Sequence, residues 1–118
     1  MTANEFRRMA LGMEGASEGQ HMDHPDFRVN GRIFATLTAD GSRGMVQLTP
    51  EQQQEFVSAN PDTFVPAAGA WGRGGSTMVQ LASVDGDTLG EAMTLAWQKA
   101  VAAKKAKPKN PKPKKARR

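Results

Sequence analysis

The sequence predicts a small α+β domain in which an antiparallel sheet, a meander of short strands, carries helices packed on one face. Three observations predict this fold class. Capping boxes begin three amphipathic segments, turn dipeptides separate short extended runs, and the segments follow one another as helix, meander, helix, strands and helix.

Each predicted helix begins at a capping box, where an N-cap Ser or Thr and a Glu or Gln three residues later satisfy free backbone N–H groups. The boxes are Thr2 with Glu5, Thr49 with Gln52, and Thr88 with Glu91. An apolar stripe follows each box at helical spacing. The stripes are Phe6, Met9, Ala10 and Met13; Phe56 and Val57; and Leu89, Ala92, Met93, Ala96, Trp97 and Ala100. The last stripe predicts that Trp97 is largely buried.

The strands are predicted from turn dipeptides. Asn30-Gly31 joins residues 26–29 to residues 32–37, and this dipeptide is the strongest short signal for a hairpin because both positions take a positive φ. Asp40-Gly41 leads to a further strand. Two more extended runs, 63–65 and 77–81, follow the second predicted helix.

Length and composition are those of one domain without disulfides. The chain has 118 residues and no cysteine, which excludes thiolate metal sites and a cysteine nucleophile. We expect a cytoplasmic protein, because the sequence shows no signal peptide and no run of about 20 apolar residues.

The charge is divided unequally along the chain. Residues 1–103 carry −5, and residues 104–118 carry +9 with no acid. We therefore predict a folded domain over 1–103 and a disordered basic tail over 104–118, where proline alternates with like charges and no large apolar side chain can be buried. The basic residues of this tail are Lys104, Lys105, Lys107, Lys109, Lys112, Lys114, Lys115, Arg117 and Arg118.

The composition of this tail favours binding to a polyanion. Each Lys or Arg that neutralises a phosphate releases a condensed counterion, so affinity depends steeply on salt. Duplex DNA, structured RNA and an anionic membrane surface remain open as partners. The tail has no aromatic residue for stacking on bases and no amphipathic face for membrane insertion.

Two segments could carry chemistry. His21, Asp23, His24 and Asp26 include nitrogen and oxygen donors, but a turn is the favoured interpretation, so no metal or other cofactor is predicted. Residues 69–76 form a glycine-rich loop that lacks the Gly-Lys-Ser/Thr ending of a P-loop.

Within that loop, Trp71 is expected to cover the edge of the core, with base stacking as the alternative, and Arg73 could meet phosphate. The carboxylates lie in turns and first helical turns, and no serine has the context of a nucleophile. No enzymatic activity is predicted.

Six segments together resemble the MmcQ/YjbR family of small bacterial proteins, over roughly residues 2–98. They are His24-Pro25-Asp26-Phe27-Arg28-Val29, Arg32-Ile33-Phe34-Ala35, Leu48-Thr49-Pro50-Glu51, Pro61-Asp62, Gly69-Ala70-Trp71-Gly72, and the closing helix with Trp97. The resemblance implies a frataxin-like fold and a DNA-binding "double wing", in which β-hairpins touch the duplex.

The chain departs from the family pattern where many members carry positive charge. It has Gln47-Leu48-Thr49 in place of a Leu-Lys pair, and residues 69–75 in place of a basic segment similar to Lys-x-His-Trp. We therefore expect non-specific affinity for nucleic acid, with DNA as the favoured partner, to come mainly from the tail. The body would add positioning contacts through Arg28, Arg32, Arg43 and Arg73. The alternative is a module that binds a protein or small ligand and uses its tail for localisation or solubility.

Overall fold

Four helices and six strands make up residues 1–21 and 23–106, the part of the chain that the computed structural model describes. In chain order they are α1 (Ala3–Leu11), β1 (Ser17–His21), β2 (His24–Val29), β3 (Arg32–Leu37), β4 (Arg43–Gln47), α2 (Pro50–Ala59), β5 (Phe64–Pro66), α3 (Gly69–Arg73), β6 (Ser76–Gln80) and α4 (Gly86–Ala106).

The strands form one sheet in the order β1-β2-β3-β4-β6-β5, and every neighbouring pair is antiparallel. This confirms the predicted α+β class. The predicted hairpin is also present: Asn30 and Gly31 take φ values of 54° and 80°, as a two-residue turn of type I′ requires. The registers leave Phe34 as an extra residue opposite β2, and this bulge allows both Phe34 and Ala35 to be buried.

The helices cover the face of the sheet that carries the core. Gly44 of β4 leaves room for the ring of Phe6 from α1, because a Cβ there would lie 2.4 Å from Phe6 Cε2. Phe56 of α2 packs on Phe64 of β5 with ring centroids 5.1 Å apart. Gly44 and Phe64 both pair with Val79 in the register, so α1 and α2 lie on the same face.

Two of the three predicted capping boxes are confirmed. Thr2 with Glu5, and Thr49 with Gln52, each show both reciprocal hydrogen bonds. The box predicted at Thr88 is wrong. Helix α4 begins at Gly86, and the Asp85 carboxylate accepts hydrogen bonds from the N–H of Thr88 at 2.7 Å and from its hydroxyl at 2.9 Å. These bonds lower the pKa of Asp85.

Trp97 packs against the core as predicted, but it is less deeply buried than the rest of its stripe. Leu89, Ala92 and Met93 of the same stripe are fully buried, whereas Trp97 is only partly buried. Its indole Nε1 donates to the carbonyl oxygen of Glu14 at 2.9 Å. The ring therefore packs at the edge of the core, where its polar atom finds a partner on the segment after α1.

Helix α4 runs 21 residues and continues past the predicted boundary at residue 103. Lys104 and Lys105 thus belong to its last turn. Most of the predicted disordered tail, residues 107–118, lies outside the described residues. Among the helices of residues 1–21 and 23–106, none combines the length and the hydropathy that a membrane span requires.

Asp40 in the turn between β3 and β4 should make stability depend on acid pH. The backbone N–H of Ser42 and the hydroxyls of Thr38 and Ser42 donate to its Oδ1 and lower its pKa from 3.8 to about 2. Since the unfolded chain binds this proton more tightly, the stabilisation is present above the unfolded pKa and is lost as pH falls through about 2.

We expect Asp40→Ala to lower the free energy of unfolding at pH 6, and the difference from the intact protein to shrink between pH 4 and pH 2. Urea denaturation at a series of pH values measures it. A difference that stays constant down to pH 2 would contradict this role for Asp40.

Candidate nucleic-acid interface

Arg32, one of the predicted site residues, lies with Trp71 in the lining of a pocket at one end of the sheet. The pocket has a volume of about 400 Å³ and is bounded by the tip of the β2–β3 hairpin, the end of β4, the helix α3 and the last turns of α4. Its lining residues are Gly31, Arg32, Ile33, Gln47, Trp71, Ala96, Lys99, Ala100 and Ala103.

Helix α3 occupies the segment that the sequence predicts to be a glycine-rich loop. The side-chain amide of Gln53 in α2 donates to the carbonyl oxygens of Gly72 at 2.9 Å and Ser76 at 3.0 Å. Gly72 is buried against the backbone of Ala67, where a Cβ would lie only 1.8 Å from the carbonyl oxygen. This turn of helix is therefore fixed to the body of the domain by its backbone.

The same arrangement turns Trp71 outward. Its side chain was expected to cover the edge of the core, and this prediction is wrong, because Trp71 is 71% exposed. It lines the pocket described above and also a second one, of about 300 Å³, on the side of Ala70 and Gly74. An indole with open space beside it and a fixed backbone beneath it can stack on a planar ligand.

Lys99 supplies a cation that sequence analysis did not single out. Its Nζ donates to the carbonyl oxygen of Leu48 at 2.9 Å, and its partial burial lowers its pKa by desolvation. Lys99 is the only lysine among residues 1–103, and this could have marked it as unusual. Together with Arg32 it places two cationic residues in the lining of the Trp71 pocket.

The other predicted arginines lie apart from this pocket. Arg28 is held by Asp26, a fully buried carboxylate that accepts from Arg28 Nε at 2.7 Å and from Nη2 at 3.0 Å. These hydrogen bonds raise the pKa of Arg28. Arg43 is exposed opposite Gln80 on the neighbouring strand, and exposed Arg73 ends α3.

The segment with possible metal ligands forms part of the β1–β2 hairpin, where His21 pairs with His24. Within the described residues, no group of three or more His, Cys, Asp or Glu side chains is placed to hold a metal ion. Asp26 is instead engaged by Arg28, and Gly19 on β1 leaves room for that ion pair, because a Cβ there would lie 2.9 Å from Asp26 Oδ1.

The route of the chain connects the pocket with the basic tail. Ala103 lines the pocket. It is followed by Lys104, Lys105 and Ala106, and Ala106 is the last residue that the structure describes. The remaining predicted contacts, from Lys107 to Arg118, lie outside the described residues. The chain thus enters its most basic segment directly from the rim of the pocket.

The six-stranded antiparallel sheet with helices over one face defines a class of small α+β proteins, and comparison with known proteins identifies the family. The YjbR family model matches residues 11–99, and the chain therefore belongs to the YjbR family.

The fold is similar to the crystal structure of Deinococcus radiodurans protein DR2400, which has a DUF419 domain. The TM-score is 0.73 at 21% identity, over 92% of this chain and 83% of the other. At this identity the likeness supports the fold alone. The comparison with curated proteins gave no match.

Proposed function

We propose that this protein is a non-enzymatic, cytoplasmic nucleic-acid-binding protein whose favoured partner is duplex DNA. The observation that carries the proposal is the division of charge, −5 over residues 1–103 against +9 over residues 104–118. A polyanion is attracted to the tail and repelled by the net charge of the body, so the tail supplies most of the affinity.

Binding of this kind has little sequence preference, because lysines that contact phosphates carry no information about bases. Arg28, Arg32, Arg43 and Arg73 of the domain would position the duplex. The location of Arg32 and Lys99 in the lining of one pocket, which the last turns of α4 also border, supports a local cationic surface on the domain.

A second candidate function is a module that binds a small ligand. It is favoured by the Trp71 pocket, whose volume of about 400 Å³ lies in the range of small-molecule sites. In that case the tail would serve localisation or solubility. The two functions differ in whether the intact chain binds DNA at physiological salt.

The test compares the intact chain with a variant in which every Lys and Arg from Lys107 to Arg118 is replaced by Gln. We expect log K for a labelled duplex to fall linearly with log salt, with a slope of about −4 and no steeper than about −8. The variant should bind at least about a hundredfold more weakly at 0.1 M salt. Fluorescence anisotropy measures both.

Scrambled duplexes of equal length provide the control and should bind equally well. A variant that binds as tightly as the intact chain would overturn the role of the tail. If neither protein binds duplex DNA at physiological salt, the small-ligand module becomes the better explanation.

A further inference from the structure

The exposure of Trp71 is unusual because the backbone that carries it is held in place. Two hydrogen bonds from Gln53 hold the backbone around α3, and close backbone contact leaves no room for a side chain at Gly72. A tryptophan on a mobile loop would lose conformational entropy when it bound a ligand. Here the backbone beneath the indole is already ordered in the free protein, which lowers the entropic cost of binding.

The surroundings of Trp71 match the two parts of a nucleotide. The indole offers a flat apolar surface beside open space, and base–aromatic stacking accepts any base because every base has a π-face. Arg32 and Lys99 contribute positive charge to the lining of the same pocket, where a phosphate could pair with them. Gln47 adds an amide that accepts a hydrogen bond from Ser76 Oγ at 2.8 Å.

The bases of an intact duplex cannot use this site. Their faces are covered by neighbouring base pairs, so the Trp71 pocket can stack only on a base that has left the helix or was never paired. We propose that the pocket holds one unpaired nucleotide of a nucleic-acid strand, stacked on Trp71 with its phosphate at Arg32 and Lys99. This inference rests on the proposed function, because it assumes that the tail brings the strand to the rim of the pocket.

The experiment uses the full chain with Trp97→Phe, so that Trp71 is the only fluorescent tryptophan. The probes are a 16-nucleotide oligothymidylate, a blunt 16-base-pair duplex, and thymidine monophosphate. We expect the oligothymidylate to quench Trp71 emission, the duplex to bind with little quenching, and the mononucleotide to need much higher concentrations because it does not engage the tail.

Substitutions in the otherwise native full chain then locate the contact. Trp71→Ala should lower the ratio of single-strand to duplex affinity about tenfold, whereas Trp71→Phe should keep most of it. Arg32→Gln should weaken single-strand binding and make its salt slope shallower by about 1. Arg8→Gln is the matched control, since it removes the same charge from the exposed side of α1, and it should change binding less than Arg32→Gln.

The outcomes separate this inference from the proposed function. Suppose that duplex binding depends on the tail, that the oligothymidylate does not quench Trp71 emission, and that Trp71→Ala binds the oligothymidylate as tightly as the intact chain. The pocket assignment is then overturned and the proposed function stands. Quenching by thymidine monophosphate at lower concentrations than by the oligothymidylate would assign the pocket to a free nucleotide instead. If no nucleic acid binds the intact chain, both proposals fail.

Discussion

Gly75→Ala is expected to destabilise the domain by at least about 3 kcal/mol, through backbone strain and overpacking together. Gly75 has a φ of +113°, and a Cβ there would lie 1.8 Å from the carbonyl oxygen of Leu48 and 2.8 Å from its carbonyl carbon. The clash is with backbone, so no side-chain rotation can relieve it. The same carbonyl oxygen accepts the hydrogen bond from Lys99, which a shift would break.

Gly31→Ala is the matched control for this prediction. Gly31 also has a positive φ, of +80°, but a Cβ there meets nothing within 4 Å. Gly31→Ala should therefore lower the free energy of unfolding by only about 1–2 kcal/mol, the cost of placing an L-residue at a positive φ. Urea denaturation measures both variants, and a Gly75→Ala that is no less stable than Gly31→Ala would show that β4 and β6 can separate at this point without loss.

Phe27→Ala should cost about 3–5 kcal/mol, because the ring is fully buried and its removal leaves a cavity. Phe27 lies on β2, next to the centre of the sheet, and its ring contacts Phe6 of α1 at a centroid distance of 6.1 Å. A domain of this size is stable by only about 5–15 kcal/mol, so the change would be visible as a large drop in the urea midpoint.

Comparing the loss of stability of Trp97→Ala with that of Phe27→Ala tests how deeply Trp97 is buried. The apolar stripe alone suggests an equally large loss, whereas the partial burial of Trp97 at the edge of the core predicts a smaller loss than that of Phe27→Ala. Equal losses for the two variants would mean that the edge position of Trp97 is wrong.

What the sequence determined by itself is local. The capping boxes at Thr2 and Thr49 and the turn at Asn30-Gly31 are correct because each depends on residues no more than three positions apart. The capping box at Thr88 failed for a reason of the same kind. Asp85 lies three residues earlier and caps the helix first, and its carboxylate was equally visible in the sequence.

Elements that depend on distant partners were missed. Strand β1 has the sequence Ser-Glu-Gly-Gln-His, with no apolar residue, and it forms because its backbone pairs with β2. Helix α3 is too short and too rich in glycine to be stable alone, and Gln53, 19 residues before Gly72, holds it in place.

The candidate site is divided in the same way. The basic tail could be read from composition, because charge and the absence of apolar residues need no fold. The pocket could not, since Arg32, Trp71 and Lys99 come from three separate segments that meet only when β3, α3 and α4 pack. The tertiary structure alone decided that Trp71 faces outward, because Gly72 brings the backbone of α3 against Ala67 and leaves no room for the indole on that side.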